Sequence, residues 1–232
     1  ITQHASFLAL IFPLRCENYP KALLPYSKNF IYGSINCYME LNWTIKFLIA
    51  IIVIFAFQQL TPYWIYFAFV PSTAFAEPWT FVTSLFLHAD FSHLFFNAFA
   101  LLVFGSFLES RVEERDFLLI FFLSGVVGNV GYMLTSGNPN IPGIGVSGAI
   151  YGVMGTLAVL VPFAMVYVSF VPMPMIFAAF LWTASEFLGL FAPSGIAHGA
   201  HLGGLFLGIV YGFYLRRQFR KERHYVRNVY NW

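Results

Sequence analysis

Two segments that lie far apart in the sequence carry side chains with the chemistry of a hydrolase. Ser147 lies in the segment GIGVSGAIYG, and His201 lies in HGAHLGGLFLG. A serine hydroxyl is a poor nucleophile by itself, and it becomes reactive when a neighbouring base takes its proton. The sequence therefore predicts Ser147 as a nucleophile and His201 as its base, provided that folding brings the two segments together.

A third segment supplies hydrogen-bond donors. His93 and Asn97 are four residues apart, so both side chains lie on one face of a helix. Acyl transfer needs donors around the carbonyl oxygen, where negative charge develops. We predict that His93 and Asn97 stabilise this oxyanion, together with the backbone N–H of Ser147 at a helix start. An interhelical hydrogen bond is the alternative role for Asn97.

Small and aromatic residues are expected to support these groups. Gly148 begins a four-residue glycine spacing, which Gly204 repeats in the segment of His201, and such spacing lets two helices approach closely. Tyr151 lies one turn after Ser147, where its ring could stack on His201 or simply fill the core. The other candidates are the support residues His88 and Gly145 and two residues that could gate substrate entry between the second and fifth spans, Phe96 and Trp182.

No carboxylate is predicted to lie beside the histidines. Asp90 is interpreted as a solvated loop residue near the surface. Glu186 lies about one turn from the outer end of the fifth predicted span, where we expect it to reach the interface. The prediction is therefore a Ser–His dyad with no acidic third member. A metal site is not predicted, and the zinc-protease motif H-E-x-x-H is absent.

The composition is that of a membrane protein. Hydrophobic residues make up 59% of the 232-residue chain and charged residues only 9%, whereas a soluble domain carries about 25% charged residues. A spanning helix needs about 20 mostly apolar residues. The uncharged stretches predict an all-α membrane protein with six transmembrane helices, at residues 44–60, 92–110, 116–135, 147–167, 173–191 and 196–216.

The 12 Lys and Arg residues predict the orientation of these spans. Basic residues concentrate on the cytoplasmic side of a membrane, and here they precede or open the first span, separate the second from the third, and follow the sixth. We expect a multi-pass protein of the cell membrane with both termini in the cytoplasm. The predicted parts are a cytosolic extension at 1–43, a six-helix membrane domain at 44–217 and a basic cytosolic tail at 218–232.

Two connections stand out in this topology. The first, at 61–91, is long and rich in aromatic residues, so we expect it to lie in the outer interface. The third, at 136–146, reads SGNPNIPGIGV and is uncharged. Irregular backbone at membrane depth is tolerated only where it is buried in protein or lines a watery cavity. The starts of spans two, four and six, which carry the reactive residues, all fall on the same outer side.

The chain contains three motifs in sequence order: His88-x4-His93-x3-Asn97, G-x-S-G at Gly145–Gly148, and Ala200-His201-x-x-Gly204-x-x-x-Gly208. In these motifs it resembles the rhomboid family of intramembrane serine proteases, over about residues 79–212. The resemblance implies a six-helix bundle with a long outer first loop, and a Ser–His dyad that opens to the outer side. Single-pass membrane proteins are the substrates that it implies.

The resemblance also implies roles for individual residues. It implies Ser147 as nucleophile, His201 as base, and His93 with Asn97 as the oxyanion donors. Glu109 matches a glutamate that closes the inner end of the second helix. In one place the chain departs from the family pattern, because Thr80 follows Trp79 where the family often has arginine. This departure leaves the rigidity of the first loop open.

Two other function classes compete with the protease prediction. A rhomboid-like pseudoprotease that binds membrane clients should lack the nucleophile or the base, and this chain has both. A metal or proton transporter is suggested by His198 and His201 with His88 and His93, but no acidic residue is predicted near them. We expect no cofactor, no metal and no nucleic acid. The expected partners are membrane lipid and single-pass transmembrane substrates, with the basic tail as a membrane-surface anchor.

Overall fold

The computed structural model describes residues 14–16, 37–39, 41–168, 171–192 and 195–230, with side chains in 41–168, 171–192 and 195–221. Most of the predicted N-terminal extension and the far end of the basic tail lie outside these residues. Long helices dominate the described part of the chain. They are α1 Trp43–Gln58, α2 Phe91–Glu109, α3 Glu114–Thr135, α4 Ser147–Leu160, α5 Met175–Gly189 and α6 His198–Tyr230.

Two of these helices meet the length and hydropathy expected of a membrane span. These are α2 and α3, whereas α1, α4 and α5 are apolar but shorter. Helix α2 contains one π-helical turn, Leu101–Gly105. Within the described ranges, four short strands form two antiparallel pairs: β1 Leu14–Cys16 with β2 Cys37–Met39, and β3 Met165–Val168 with β4 Val171–Pro174.

The structure corrects the predicted ends of two spans. The fourth was expected to continue to residue 167, but α4 ends at Leu160 and the chain turns into β3. Pro162 explains the break, since proline lacks the N–H that a helix needs and restricts the residue before it. The sixth was expected to end at residue 216, but α6 continues to Tyr230.

Glycine brings α3, α4 and α6 together at the centre of the fold. A Cβ atom at Gly204 of α6 would collide with the backbone carbonyl of Gly148 of α4, and one at Gly208 with the carbonyl of Gly152. Close approach of helix backbones is the property that small residues provide in membrane proteins. The glycines of α3 were not among the predicted contacts, yet Cα of Gly148 lies 3.4 Å from a Cβ built on Gly128.

A buried carboxylate joins the end of α2 to the start of α1. Glu109, at the end of α2, accepts hydrogen bonds from the backbone N–H groups of Trp43 at 2.6 Å and Thr44 at 3.0 Å. The Thr44 hydroxyl donates to the same carboxylate at 2.8 Å. The first N–H groups of a helix have no carbonyl partner within it, and Glu109 supplies one for α1. This contact holds the end of α2 against the beginning of α1.

Thr80 is fully buried in the connection between α1 and α2, at the position where the family that the chain resembles often has arginine. Its hydroxyl donates a 2.6 Å hydrogen bond to the carbonyl of Glu77. The indole N–H of Trp79 donates to the carbonyl of Tyr66 at 3.1 Å, and the Thr83 hydroxyl donates to that of Phe67 at 2.8 Å. Local hydrogen bonds therefore hold this connection without an arginine.

Candidate active site

Ser147 and His201 meet where α4 and α6 begin. Ser147 is the first residue of α4, and His201 lies in the first turn of α6. The Oγ atom of Ser147 lies 2.8 Å from Nε2 of His201, which is ordinary hydrogen-bond distance. The glycine contacts between α4 and α6 let the two helices approach this closely. The geometry suits transfer of the hydroxyl proton to the imidazole.

The ring of Tyr151 lies flat against the imidazole of His201. The ring centroids are 4.4 Å apart and the planes differ by 6°. Because Tyr151 follows Ser147 by one helical turn, the same helix that carries the hydroxyl also supports the ring that accepts its proton. The Tyr151 hydroxyl donates a 2.5 Å hydrogen bond to Oε1 of Glu186. Tyr151 thus connects the Ser–His pair to α5.

The expectation that no carboxylate lies near the histidines was wrong. Glu186 of α5 is 7% exposed, and its Oε2 lies 3.0 Å from Nδ1 of His201 and 2.5 Å from Nδ1 of His198. The Nδ1 atom of His201 makes no hydrogen bond of standard geometry. Its 3.0 Å contact with the carboxylate is therefore mainly electrostatic.

One sequence signal could have identified Glu186. It is the only charged residue between Phe117 and Leu215. An ionisable residue within an apolar span is costly and usually functional, and it normally faces the interior of the bundle. The position of Glu186 about one turn from the end of the span predicted instead that it reaches the interface. The tertiary structure turns the side chain inward, to the two histidines.

The predicted oxyanion donors surround a glycine two residues before Ser147. A Cβ atom at Gly145 would lie 2.8 Å from Nε2 of His93 and 3.8 Å from Nδ2 of Asn97. Gly145 has a φ of 118°, a conformation that residues with a side chain rarely adopt. Both the backbone angle and the close imidazole require glycine here. Asn97 is 7% exposed, and its Nδ2 donates one hydrogen bond to the carbonyl of His93 at 3.0 Å.

The hydrogen bond at Nδ1 of His93 determines which ring nitrogen carries the proton. The N–H of Ala89 donates to Nδ1 of His93 over 3.4 Å, so Nδ1 is the acceptor and the proton of the neutral ring lies on Nε2. That N–H is on the atom that approaches Gly145. Asp90, which was expected to be a solvated loop residue, accepts from the N–H of His93 at 2.8 Å and caps the start of α2.

Backbone hydrogen bonds fix the irregular segment before Ser147. Gly143 and Phe69 exchange two of them, at 2.7 and 3.2 Å. The N–H of Gly145 donates to the carbonyl of Ser84 at 3.0 Å, and the Ser84 hydroxyl accepts from Nδ2 of Asn129 at 2.9 Å. The long first connection therefore holds the loop that presents the serine, which the sequence alone did not reveal.

His88 is a buried support beneath His93. It is 1% exposed, and its ring meets that of His93 edge-on with centroids 5.1 Å apart. Its backbone N–H and C=O both bond to the side-chain amide of Gln58, at 3.0 and 3.2 Å. Burial, reinforced by His93 and opposed by the backbone of Phe86, lowers the pKa of His88 to about 4. His88 is therefore neutral at physiological pH.

An open cavity of about 1430 Å³ leads to these residues. Ser147, His93, Asn97 and His201 all line it, and so do the two predicted gate residues, Phe96 and Trp182. Phe96 is 66% exposed. The ring contact of Trp182 is with Phe104 of α2, at 5.6 Å and 85°. The cavity thus gives water and a peptide chain access to a serine–imidazole pair with two neighbouring donors, an arrangement suited to acyl transfer.

Comparison with known proteins relates the chain to rhomboid proteins by two routes, a family profile and individual relatives. The sequence profile of the Rhomboid domain matches residues 76–218. A Bacillus subtilis protein named "Putative rhomboid protease YdcA" is 33% identical over 149 residues, which are 64% of this chain and 72% of that protein. The mitochondrial Rhomboid protein 1 of Saccharomyces cerevisiae is 29% identical over 61% of this chain and 43% of its own length. Rhomboid protease GlpG of Yersinia pseudotuberculosis is 27% identical over 62% and 50%, respectively.

Proposed function

Because the chain belongs to the rhomboid family and is an intramembrane serine protease, we propose that it cleaves transmembrane segments of single-pass membrane proteins through Ser147 and His201. The observation that carries this proposal is the 2.8 Å contact between Ser147 Oγ and His201 Nε2 at the wall of an open cavity. The two residues come from helix starts 54 positions apart.

The first chemical step is attack on the scissile peptide bond. As Oγ of Ser147 forms its bond to the carbonyl carbon, the hydroxyl proton moves to Nε2 of His201. The tetrahedral intermediate then collapses, and the leaving amine takes that proton from His201. Water entering through the cavity hydrolyses the acyl-enzyme, with His201 accepting a proton from the water and returning one to Ser147. The cycle restores both residues.

Three N–H groups are proposed to stabilise the oxyanion. They are Nε2–H of His93, the second Nδ2–H of Asn97 and the backbone N–H of Ser147. The first two approach the backbone of Gly145 from one side. The third belongs to the first turn of α4, whose N–H groups have no carbonyl partner within the helix and where the helix dipole favours negative charge.

We propose Glu186 as the group that positions His201. To accept a proton on Nε2, the neutral ring must carry its own proton on Nδ1, and a carboxylate 3.0 Å from Nδ1 favours that tautomer. It also stabilises the positive charge that His201 acquires during the reaction. The carboxylate is itself held by the Tyr151 hydroxyl. The proposed mechanism thus adds an acidic member to the predicted Ser–His dyad.

Covalent labelling with a fluorophosphonate tests the proposed nucleophile and base. The reagent imitates the acyl centre and reacts with serine hydroxyls that a base activates. The purified protein in detergent should label at Ser147, and labelling should vanish in Ser147→Ala and fall steeply in His201→Ala. Ser110→Ala is the matched control, because Ser110 directly follows the last residue of α2, at the end opposite to His93 and Asn97. Failure of folded wild-type protein to label would overturn the proposal and favour a client-binding pseudoprotease or a transporter.

The topology is also part of the proposal. We propose that all six long helices cross the cell membrane with both termini in the cytoplasm, so that the cavity opens to the outer side. Thr73, an exposed residue of the first connection, offers a site for the test. A Thr73→Cys variant in which Cys16 and Cys37 are serine should react with an impermeant maleimide added outside intact cells. Reaction from the cytoplasmic side alone would reverse the orientation.

A further inference from the structure

His198 is a second histidine on the same carboxylate, and the proposed reaction does not use it. Its Nδ1 lies 2.5 Å from Oε2 of Glu186, the oxygen that also faces Nδ1 of His201. A single imidazole base needs only one carboxylate to orient it, so the second imidazole is not required for catalysis. The second imidazole creates a different arrangement, in which three potential metal ligands lie within 4.8 Å of one another.

We propose that Glu186, His198 and His201 bind Zn²⁺ and that this binding switches the protease off. Two imidazoles and one carboxylate form a ligand set found in zinc enzymes, where water takes the fourth position. Nitrogen donors also make zinc a better fit than Ca²⁺ or Mg²⁺, which prefer oxygen. The proposed metal site rests on the geometry alone, whereas the inhibition rests on the proposed role of His201 as base.

The existing distances are close to those of a zinc site. Tetrahedral zinc with bonds of about 2.0–2.1 Å holds its ligand atoms about 3.4 Å apart. The two Nδ1–Oε2 distances are 2.5 and 3.0 Å, so each of these two pairs needs to separate by less than about 1 Å to admit the ion. All three ligand atoms lie within 4.8 Å of one another. The side chains of Glu186, His198 and His201 are 10%, 12% and 12% exposed. The site is therefore enclosed but still in contact with solvent.

Inhibition follows from the tautomer that zinc imposes. Zinc binds the lone pair of Nδ1 of His201, so the single N–H proton of the neutral ring moves through solvent from Nδ1 to Nε2, with no net release of a proton. A neutral imidazole that is metal-bound through Nδ1 carries its one proton on Nε2. The 2.8 Å hydrogen bond then reverses, with Nε2–H donating to Oγ of Ser147. His201 can no longer accept the serine proton, so the zinc-bound and catalytic states exclude one another.

Zinc binding can be measured without any catalytic activity. Full-length Ser147→Ala protein in detergent should compete with a chromogenic chelator for one Zn²⁺ per chain. Adding His198→Ala or Glu186→Gln should weaken that binding by at least about tenfold, since even indirect partners of a metal site change affinity by that much. Glu77→Gln is the matched carboxylate control, because Glu77 lies in the first connection and bonds to Thr73. Equal binding by all of these variants would overturn the proposed site.

Inhibition is measured on wild-type protein by fluorophosphonate labelling. Zn²⁺ should suppress labelling, EDTA should restore it, and Mg²⁺ at the same concentration should have no effect. In His198→Ala, with labelling normalised to its own zinc-free rate, half-inhibition should need at least about tenfold more Zn²⁺. Unchanged sensitivity in His198→Ala would overturn the inference. Labelling that is intact but indifferent to zinc would overturn it too and leave the proposed function standing, whereas zinc binding without any labelling would refute only the proposed function.

Discussion

Replacing Glu186 with glutamine tests whether the carboxylate positions the base. The substitution preserves size and an oxygen that can accept from Tyr151, whose hydroxyl donates to Oε1. It removes the negative charge beside His201, and it presents an amide N–H to Nδ1. That donor favours the tautomer with its proton on Nε2, which cannot accept the proton of Ser147. We therefore expect slower turnover with the fold intact.

The size of the effect follows from the contact that is lost. A hydrogen bond to a charged group contributes about 1.5–3 kcal/mol, which sets the scale for this charged contact, and each 1.36 kcal/mol is a factor of ten in rate. The expected loss is about 10- to 150-fold. Enforcing the wrong tautomer in a triad with a well-directed bond costs about 10⁴-fold. The loss should be smaller here, because Nδ1 of His201 lies 3.0 Å from the carboxylate without standard hydrogen-bond geometry.

Cleavage of a fluorogenic transmembrane peptide in zinc-free detergent would separate the possible roles. A positioning role lowers kcat and leaves KM nearly unchanged, because Glu186 acts through His201. Glu77→Gln should keep wild-type kinetics, and thermal unfolding should show that Glu186→Gln is folded. A loss of less than about threefold would contradict the reasoning, since it is below the value of one such contact. A loss confined to KM would contradict it as well.

Three further predictions concern other parts of the site. Asn97→Ala should lower kcat by about a hundredfold or more, as loss of one oxyanion donor does elsewhere; normal turnover in a cleavage assay would assign Asn97 to packing. Gly204→Ala should destabilise the fold by about 1–3 kcal/mol in thermal unfolding, because the added Cβ would meet the carbonyl of Gly148. Gly137→Ala is the control, since a Cβ there would have no atom within 4 Å. Equal stability of these two variants would contradict the close packing. Burial lowers the pKa of His88 to about 4 in the folded state. The free energy of unfolding should therefore be unaffected by this residue above pH 6.5 and should fall by up to about 3 kcal/mol as the pH drops towards 4. His88→Asn should flatten this acid part of the stability–pH curve, and an unchanged curve would refute the prediction.

The sequence was sufficient to predict the helices and the reactive residue types. Each of the six apolar stretches overlaps one of the helices α1 to α6, and two of these, α2 and α3, have the length and hydropathy of a membrane span. That all six cross the membrane stays a prediction. The end of the fourth was wrong because residues after Pro162 are apolar and β-branched, and hydropathy does not distinguish a strand from a helix. The glycine spacing indicated that α4 and α6 approach closely. It did not indicate that α3 joins them through Gly128, because a small residue allows close approach of any helix and does not specify which one.

What the sequence by itself determined is the residue types: a serine, an asparagine and two histidines near the starts of three helices. Helix phase and the charge pattern of the connections predict that these residues lie on one side of the membrane. Only the tertiary structure decided that Glu186 joins them. Its side chain lies on α5, and a single helix contains no information on whether a carboxylate one turn from its end faces lipid headgroups or the bundle interior. That choice depends on the packing of α5 against α4 and α6, where two imidazoles and the hydroxyl of Tyr151 meet the carboxylate.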